Sequence, residues 1–188
     1  MKNSIKKISM LIAVAGLTTS ATTMAADRIS YNYAGVQFVD QDVDDYDCNQ
    51  DGLRVNGSLE LNDDFFVLGA VSDLSGNRGC GSETVRAGLG YHTLFGADSS
   101  IYGALSFENV SVDHGESDSG LVAAVGLRGF VLNKLEAKVE LAHHTAHDGN
   151  TVLGGGVAYW FAPRFAVTGD VGLGSEASEV AVGLRMNF

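Results

Sequence analysis

Apolar and polar residues alternate along most of this chain with a period of two. Leu53, Val55, Gly57, Leu59 and Leu61 fall on one side, and Arg54, Asn56, Ser58 and Glu60 on the other. Val85, Ala87, Leu89 and Tyr91 oppose Thr84, Arg86, Gly88 and His92. Ile101, Gly103, Leu105 and Phe107 oppose Tyr102, Ser106 and Glu108. The pattern continues with Leu121 to Leu127 against Ala124, Gly126 and Arg128, with Leu135 to Leu141 against Glu136, Lys138 and Glu140, and with Phe165 to Val171 against Thr168 and Asp170. The last strand sets Val180, Val182, Leu184, Met186 and Phe188 against Glu179, Arg185 and Asn187. Successive side chains of a strand point to opposite faces, so each segment is predicted to be a strand between two different environments. Ile29 to Val39 changes phase near Ala34 and Gly35, which predicts a bulge. Phe65 to Asp73 and Val152 to Phe161 are apolar or glycine-rich on both faces and complete a set of ten strands.

The connections alternate in character. Asp40 to Asp51, Asp73 to Ser82, Asp113 to Ser119, Ala146 to Asn150 and Gly174 to Ala177 are rich in Asp, Gly, Ser and Asn, whereas Asn62 to Asp64, Leu132 to Lys134 and Ala162 to Arg164 are tight turns. Outer-membrane barrels combine short periplasmic turns, longer outside loops and an even strand number. The expectation is an all-β, transmembrane, antiparallel up-and-down (meander) β-barrel of ten strands, with eight as the alternative and both termini periplasmic. The aromatics agree with that orientation. Tyr31, Tyr33, Phe65, Phe66, Tyr102 and Phe165 start odd strands, and Tyr91, Phe95, Phe130, Tyr159, Trp160, Phe161 and Phe188 end even ones. Phe38, Phe107 and Tyr46 lie toward the other side. Amphipathic rings favour a membrane boundary, so a periplasmic girdle is expected.

Composition adds the compartment. Lys2, Lys6 and Lys7 precede an apolar run, Ile8 to Leu17, and a small-residue segment ending at Ala25 and Ala26. This reads as a secretory signal over residues 1–26, cleaved after Ala25 or Ala26, leaving 27–188 as one barrel domain. The apolar run is shorter than the ~20 residues that span a bilayer as a helix. The formal charge of -11 becomes -14 once those three lysines are removed. So acidic a chain lacks the basic footprint of a nucleic-acid binder. One proline and 24 glycines fit many short pleated strands.

With the apolar faces turned to lipid, the inward set mixes signs: Arg54, Glu60, Arg86, Glu108, Arg128, Glu136, Lys138, Glu140, Asp170, Glu179 and Arg185. Such groups are expected to pair across a narrow lumen, because an isolated charge there is costly to desolvate. That favours a plugged structural interior over a conducting one. A soluble barrel would instead turn its apolar faces inward.

Two cysteines, Cys48 and Cys80, fall in the first and second outer connections. In an oxidising compartment they favour one structural disulfide, the alternatives being free thiols or pairing between chains. Asp47-Cys-Asn49-Gln-Asp51-Gly52 opens like a calcium loop, but its twelfth position is Ser58 and a strand follows, so a solvated acidic segment is the better reading. His143 and His144 point to opposite faces of a strand, which separates them and His147 as metal ligands. Asp113, His114, Glu116, Asp118 and Ser119 share one outer connection and could face His147 across the rim as an outer-membrane rim enzyme would need, but a solvated acidic loop is the better reading, so neither enzyme activity nor a cofactor is expected.

These features resemble the small single-chain Gram-negative outer-membrane barrels, the class of OmpX and the OmpA transmembrane domain. Within it the likeness is nearest to the barrel family named for a diffusible signal factor. The resemblance implies a monomer in contact with outer-membrane lipid and lipopolysaccharide. It also implies that the terminal strand, through Val182, Leu184, Met186 and Phe188, is read by the barrel-assembly machinery. The function expected is structural or surface-interacting, with acidic, disulfide-tied loops, and the alternative is a small diffusion porin.

Overall fold

A computed structural model describes residues 29–43, 48–76, 80–96, 98–113, 115–146 and 149–188. Residues 1–28, where the export signal is expected, and Tyr46, Asp47, His114, His147 and Asp148 lie outside the described residues. Ten strands follow one another: β1 (Tyr33–Val43), β2 (Cys48–Glu60), β3 (Phe65–Gly76), β4 (Gly81–Leu94), β5 (Ser99–Val112), β6 (Asp118–Leu132), β7 (Leu135–His144), β8 (Asn150–Ala162), β9 (Phe165–Gly174) and β10 (Ala177–Asn187). Each pairs antiparallel with its neighbours in sequence, and β1 pairs with β10 from Tyr33↔Asn187 to Val43↔Ala177, closing an up-and-down barrel. Closure leaves no sheet edge, so every strand has a ladder on both sides.

The apolar faces turn outward. Leu105, Leu127 and Leu184 are each half or more exposed, while Ser106 and Arg128, the strand neighbours of the first two, and Glu136 on β7 are buried inside. A continuous outer belt of leucine, valine and phenylalanine is stable against lipid tails and would be unstable against water.

Three expectations change. The bulge predicted in the first strand is absent: β1 holds one register with both neighbours from Tyr33 to Val43. The phase break arises because the rings of Tyr31 and Tyr33 face inward, whereas the apolar residues that follow, Val36 and Phe38, face outward. Bulges occur instead at Phe130/Leu132 and Trp160/Ala162, at the inner ends of β6 and β8. There the extra residues Val131 and Phe161 face lipid, while Trp160 is buried and Phe130 packs beside it.

The outer connections are also shorter than the composition suggests. Asp40, Asp42, Asp51, Asp73 and Glu83 stand on strands, exposed on the outward face above the belt. Strands continue past the apolar belt there, so the acidic composition marks the end of the lipid face rather than the end of the sheet.

The periplasmic girdle, finally, is divided. Phe65, Tyr91, Phe95, Tyr159, Phe161, Phe165 and Phe188 are exposed outside. Tyr31, Phe66, Tyr102 and Trp160 turn inward and are buried. The inward rings are accommodated by glycine: a Cβ on Gly126 would meet the Tyr102 ring at 2.5 Å.

Candidate functional site

The lumen holds a cavity of about 1150 Å³, lined from Tyr31, Tyr33 and Phe66 at the inner end to Cys48, Cys80 and Glu176 at the outer. Its width comes from the sequence. Inward positions on β5 to β9 include Ala104, Ala124, Gly126, Ala142, Gly154 and Gly172, which leave space between the charged side chains of that wall. A barrel of about eight strands is just filled by its side chains. Ten strands with small residues on one wall are not.

The eleven charged residues singled out in the sequence all point inward, and they form local pairs. Arg54 grips Glu179 with both guanidinium nitrogens, at 2.6 and 2.5 Å. Glu108 forms an ion pair with Arg86 at 3.5 Å and faces His144 Nδ1 at 2.9 Å. Lys138 meets Asp170 at 3.4 Å, and Gln37 donates to the other oxygen of the same carboxylate at 2.7 Å. Glu140 accepts the Tyr102 hydroxyl at 2.5 Å. Pairing of this kind is what burial demands, since each partner alone would remain a poorly solvated charge.

The inner end is denser. Arg128 is bonded to Glu136, which Arg185 also approaches at 3.3 Å. The Arg185 guanidinium lies 4.2 Å from the Tyr33 ring centroid and 5.3 Å from that of Trp160. Arg128 lies 5.0 Å from the Tyr31 ring. Cation–π contacts strengthen where water is scarce, so this layer forms a polar-aromatic floor. Glu60 sits at its edge and accepts from Tyr31 N and Asn32 Nδ2, both at 2.8 Å.

At the outer mouth Cys48 and Cys80 form a disulfide, with Cα atoms 6.2 Å apart. Cys48 is the first residue of β2 and Cys80 directly precedes β4, so the bridge spans the outer end of β3. His143 is outside, bonded to Thr151 at 2.9 Å, and His144 is inside on Glu108. Asn49 and Asp51 share the outward face of β2, with Gln50 inward. Asp113 lines the mouth, and Ser119 Oγ accepts from Asn109 at 2.8 Å. On the terminal strand Val182, Leu184, Met186 and Phe188 are exposed in one outward row.

The alternation placed His92, Tyr102 and Asn56 on the inward face without giving them a role, and sequence reasoning missed Tyr31, Phe66, Trp160, Gln37 and His144 as floor and partner residues. A usable signal was present. Phe65 and Phe66 are adjacent on one strand, so one of them must face inside.

No protein-family model and no curated protein matches the chain. Among solved structures, the COG4313 outer membrane channel from Pseudomonas putida F1 superposes with a TM-score of 0.54 at 10% identity, covering 90% of this chain and 100% of that one. The KdgM porin in complex with disordered oligogalacturonate gives 0.51 at 14% identity, over 83% and 99% of the two chains. The NanC porin gives 0.50 at 6% identity, over 81% and 100%. The fold is that of the outer-membrane porins and channels, and the outward apolar belt fits a barrel that stands in the outer membrane.

Proposed function

We propose that the chain is a small diffusion channel of the outer membrane that passes small polar solutes. The observation that carries this reading is the cavity of about 1150 Å³, left open by small inward residues in a barrel whose remaining inward side chains are polar. A barrel serving only as a scaffold has no need to leave that volume unfilled, because packed interiors are the more stable solution. The inward charges comprise five cations and six carboxylates and are largely neutralised by one another. Discrimination between anions and cations is therefore weak.

The test is the conductance of the purified, folded protein in a planar bilayer. Discrete steps are expected, with the reversal potential in a salt gradient moving toward cations in Arg86→Gln. A folded protein, identified by heat-dependent gel mobility, that gives no conductance at either polarity overturns the channel.

The second reading is a structural, surface-interacting barrel resembling the OmpX class. It is favoured by the acids Asp40, Asp51, Asp73 and Glu83, which stand outward at headgroup height on four consecutive strands. In either reading the chain works as a monomer against lipid and lipopolysaccharide, without cofactor or catalytic step. Its last strand, through Val182, Leu184, Met186 and Phe188, engages the assembly machinery.

A further inference from the structure

We infer that Ile29 to Asn32 form a removable inner gate, with the Tyr31 ring as its plug and Glu60 as its latch. The inference rests on the channel reading.

The segment precedes β1 and turns into the barrel instead of continuing the strand away from it. Tyr31 is 3% exposed. Its ring stacks on His92 at 4.1 Å and on Phe66 at 4.5 Å, and its hydroxyl meets Ser100 Oγ at 2.7 Å. One residue just ahead of β1 therefore reaches past β2 to touch three successive strands, β3, β4 and β5. That is the geometry of a stopper.

Apart from the packing of the Tyr31 ring, the attachments of the segment are few and polar. Besides the two bonds that Glu60 accepts, Glu60 N donates to Asn32 Oδ1 at 2.8 Å. Arg185 Nη2 donates to the Ser30 carbonyl at 2.9 Å, and Phe188 N to the Asn32 carbonyl at 3.2 Å. Only the Phe188 bond lies in line with a strand ladder, one step beyond the Tyr33↔Asn187 pair of β1 and β10, so releasing the segment shortens that ladder at its end and leaves the barrel closed. A four-residue segment held by one packed ring and a few hydrogen bonds is less stable than the ten-strand sheet and opens before it does.

The layer around the plug also differs from a permanent core. Both ring nitrogens of His92 and Trp160 Nε1 are buried without a protein partner. Permanently sealed interiors satisfy such groups, because an unpaired buried donor is costly. With the segment withdrawn, the same atoms would line a wet passage between the cavity and the inner side.

Single-channel recording of the wild type, Tyr31→Ala and Glu60→Gln decides the matter. The wild type is expected to open briefly, Y31A to stay open with a larger step, and E60Q to keep the wild-type step with longer openings. Loss of one charge-assisted latch bond shifts the open-to-closed ratio about tenfold. Heat-dependent mobility checks that each variant is folded, and E60Q, which removes no packed ring, covers the case in which Y31A fails to fold. Folded variants with the step size and open time of a conducting wild type overturn the gate and leave the channel standing. Silence from all three removes the channel itself.

Discussion

Phe66 and Gly90 are register partners on β3 and β4, and the ring lies over the place where a side chain on Gly90 would stand. A Cβ there would come within 2.1 Å of the ring. Gly90→Ala is therefore expected to displace Phe66 and, with it, the Tyr31 stack, at a cost of about 1–3 kcal/mol. Gly69 faces outward with only the Arg86 carbonyl at 3.5 Å, so Gly69→Ala should fall within about 0.5 kcal/mol of wild type. Urea titration of both variants in lipid vesicles separates the two cases.

Glu136 neutralises two guanidinium groups at once, Arg128 and Arg185. Both ends of the Arg128 pair are 5% exposed. Glu136→Gln leaves two buried cations facing each other and should cost about 3–5 kcal/mol. Arg54→Met breaks a pair that is 24% and 22% exposed, and solvent screening reduces that loss to about 1–2 kcal/mol. Removing Glu179 as well should recover most of it in a double-mutant cycle.

The disulfide closes a segment of 32 residues in the sequence. Constraining the unfolded chain over that length is worth about 2–4 kcal/mol. Reduction should lower the urea midpoint accordingly while leaving the far-ultraviolet strand signal in native conditions unchanged. Loss of that signal on reduction alone would mean that the bridge is needed to hold β2 to β4 together.

Leu105 stands midway along β5 on the outer face, between Leu89 and Ala123. Placing arginine there should cost about 2–4 kcal/mol, whereas Asp73→Arg, above the belt, should cost under about 1 kcal/mol. Equal costs at the two sites would show that no depth-dependent lipid boundary separates them.

The sheet was legible because the lipid boundary writes itself into the chain every second residue. Strand number, direction and the inward facing of charges such as Arg54, Arg86 and Asp170 all follow from that alternation. Chain ends of strands were harder. Asp40 and Asp51 look like loop residues by composition, yet they are strand residues that have risen past the belt. At the inner end an aromatic ring is compatible with both sides. Alternation separates Tyr91, which faces lipid, from Tyr102, but it leaves Phe66 and Trp160 undecided, and only the three-dimensional register shows that Tyr102 reaches Glu140 across Gly126. Tyr31 was the least legible of all, since its position depends on a turn outside any strand.

The β1–β10 seam has a bearing on how the molecule comes to exist. Tyr33 pairs with Asn187, so the contact that completes the wall joins positions near opposite ends of the folded domain. Every other ladder links neighbours in sequence and can zip locally, but this one waits for the last strand and carries the largest loop-closure penalty. Until then β1 shows an unpaired edge that invites pairing with other chains. Membrane entry and ring closure are thus one late event, and substitutions along the seam, such as at Val36 or Leu184, should slow assembly more than they weaken the finished barrel.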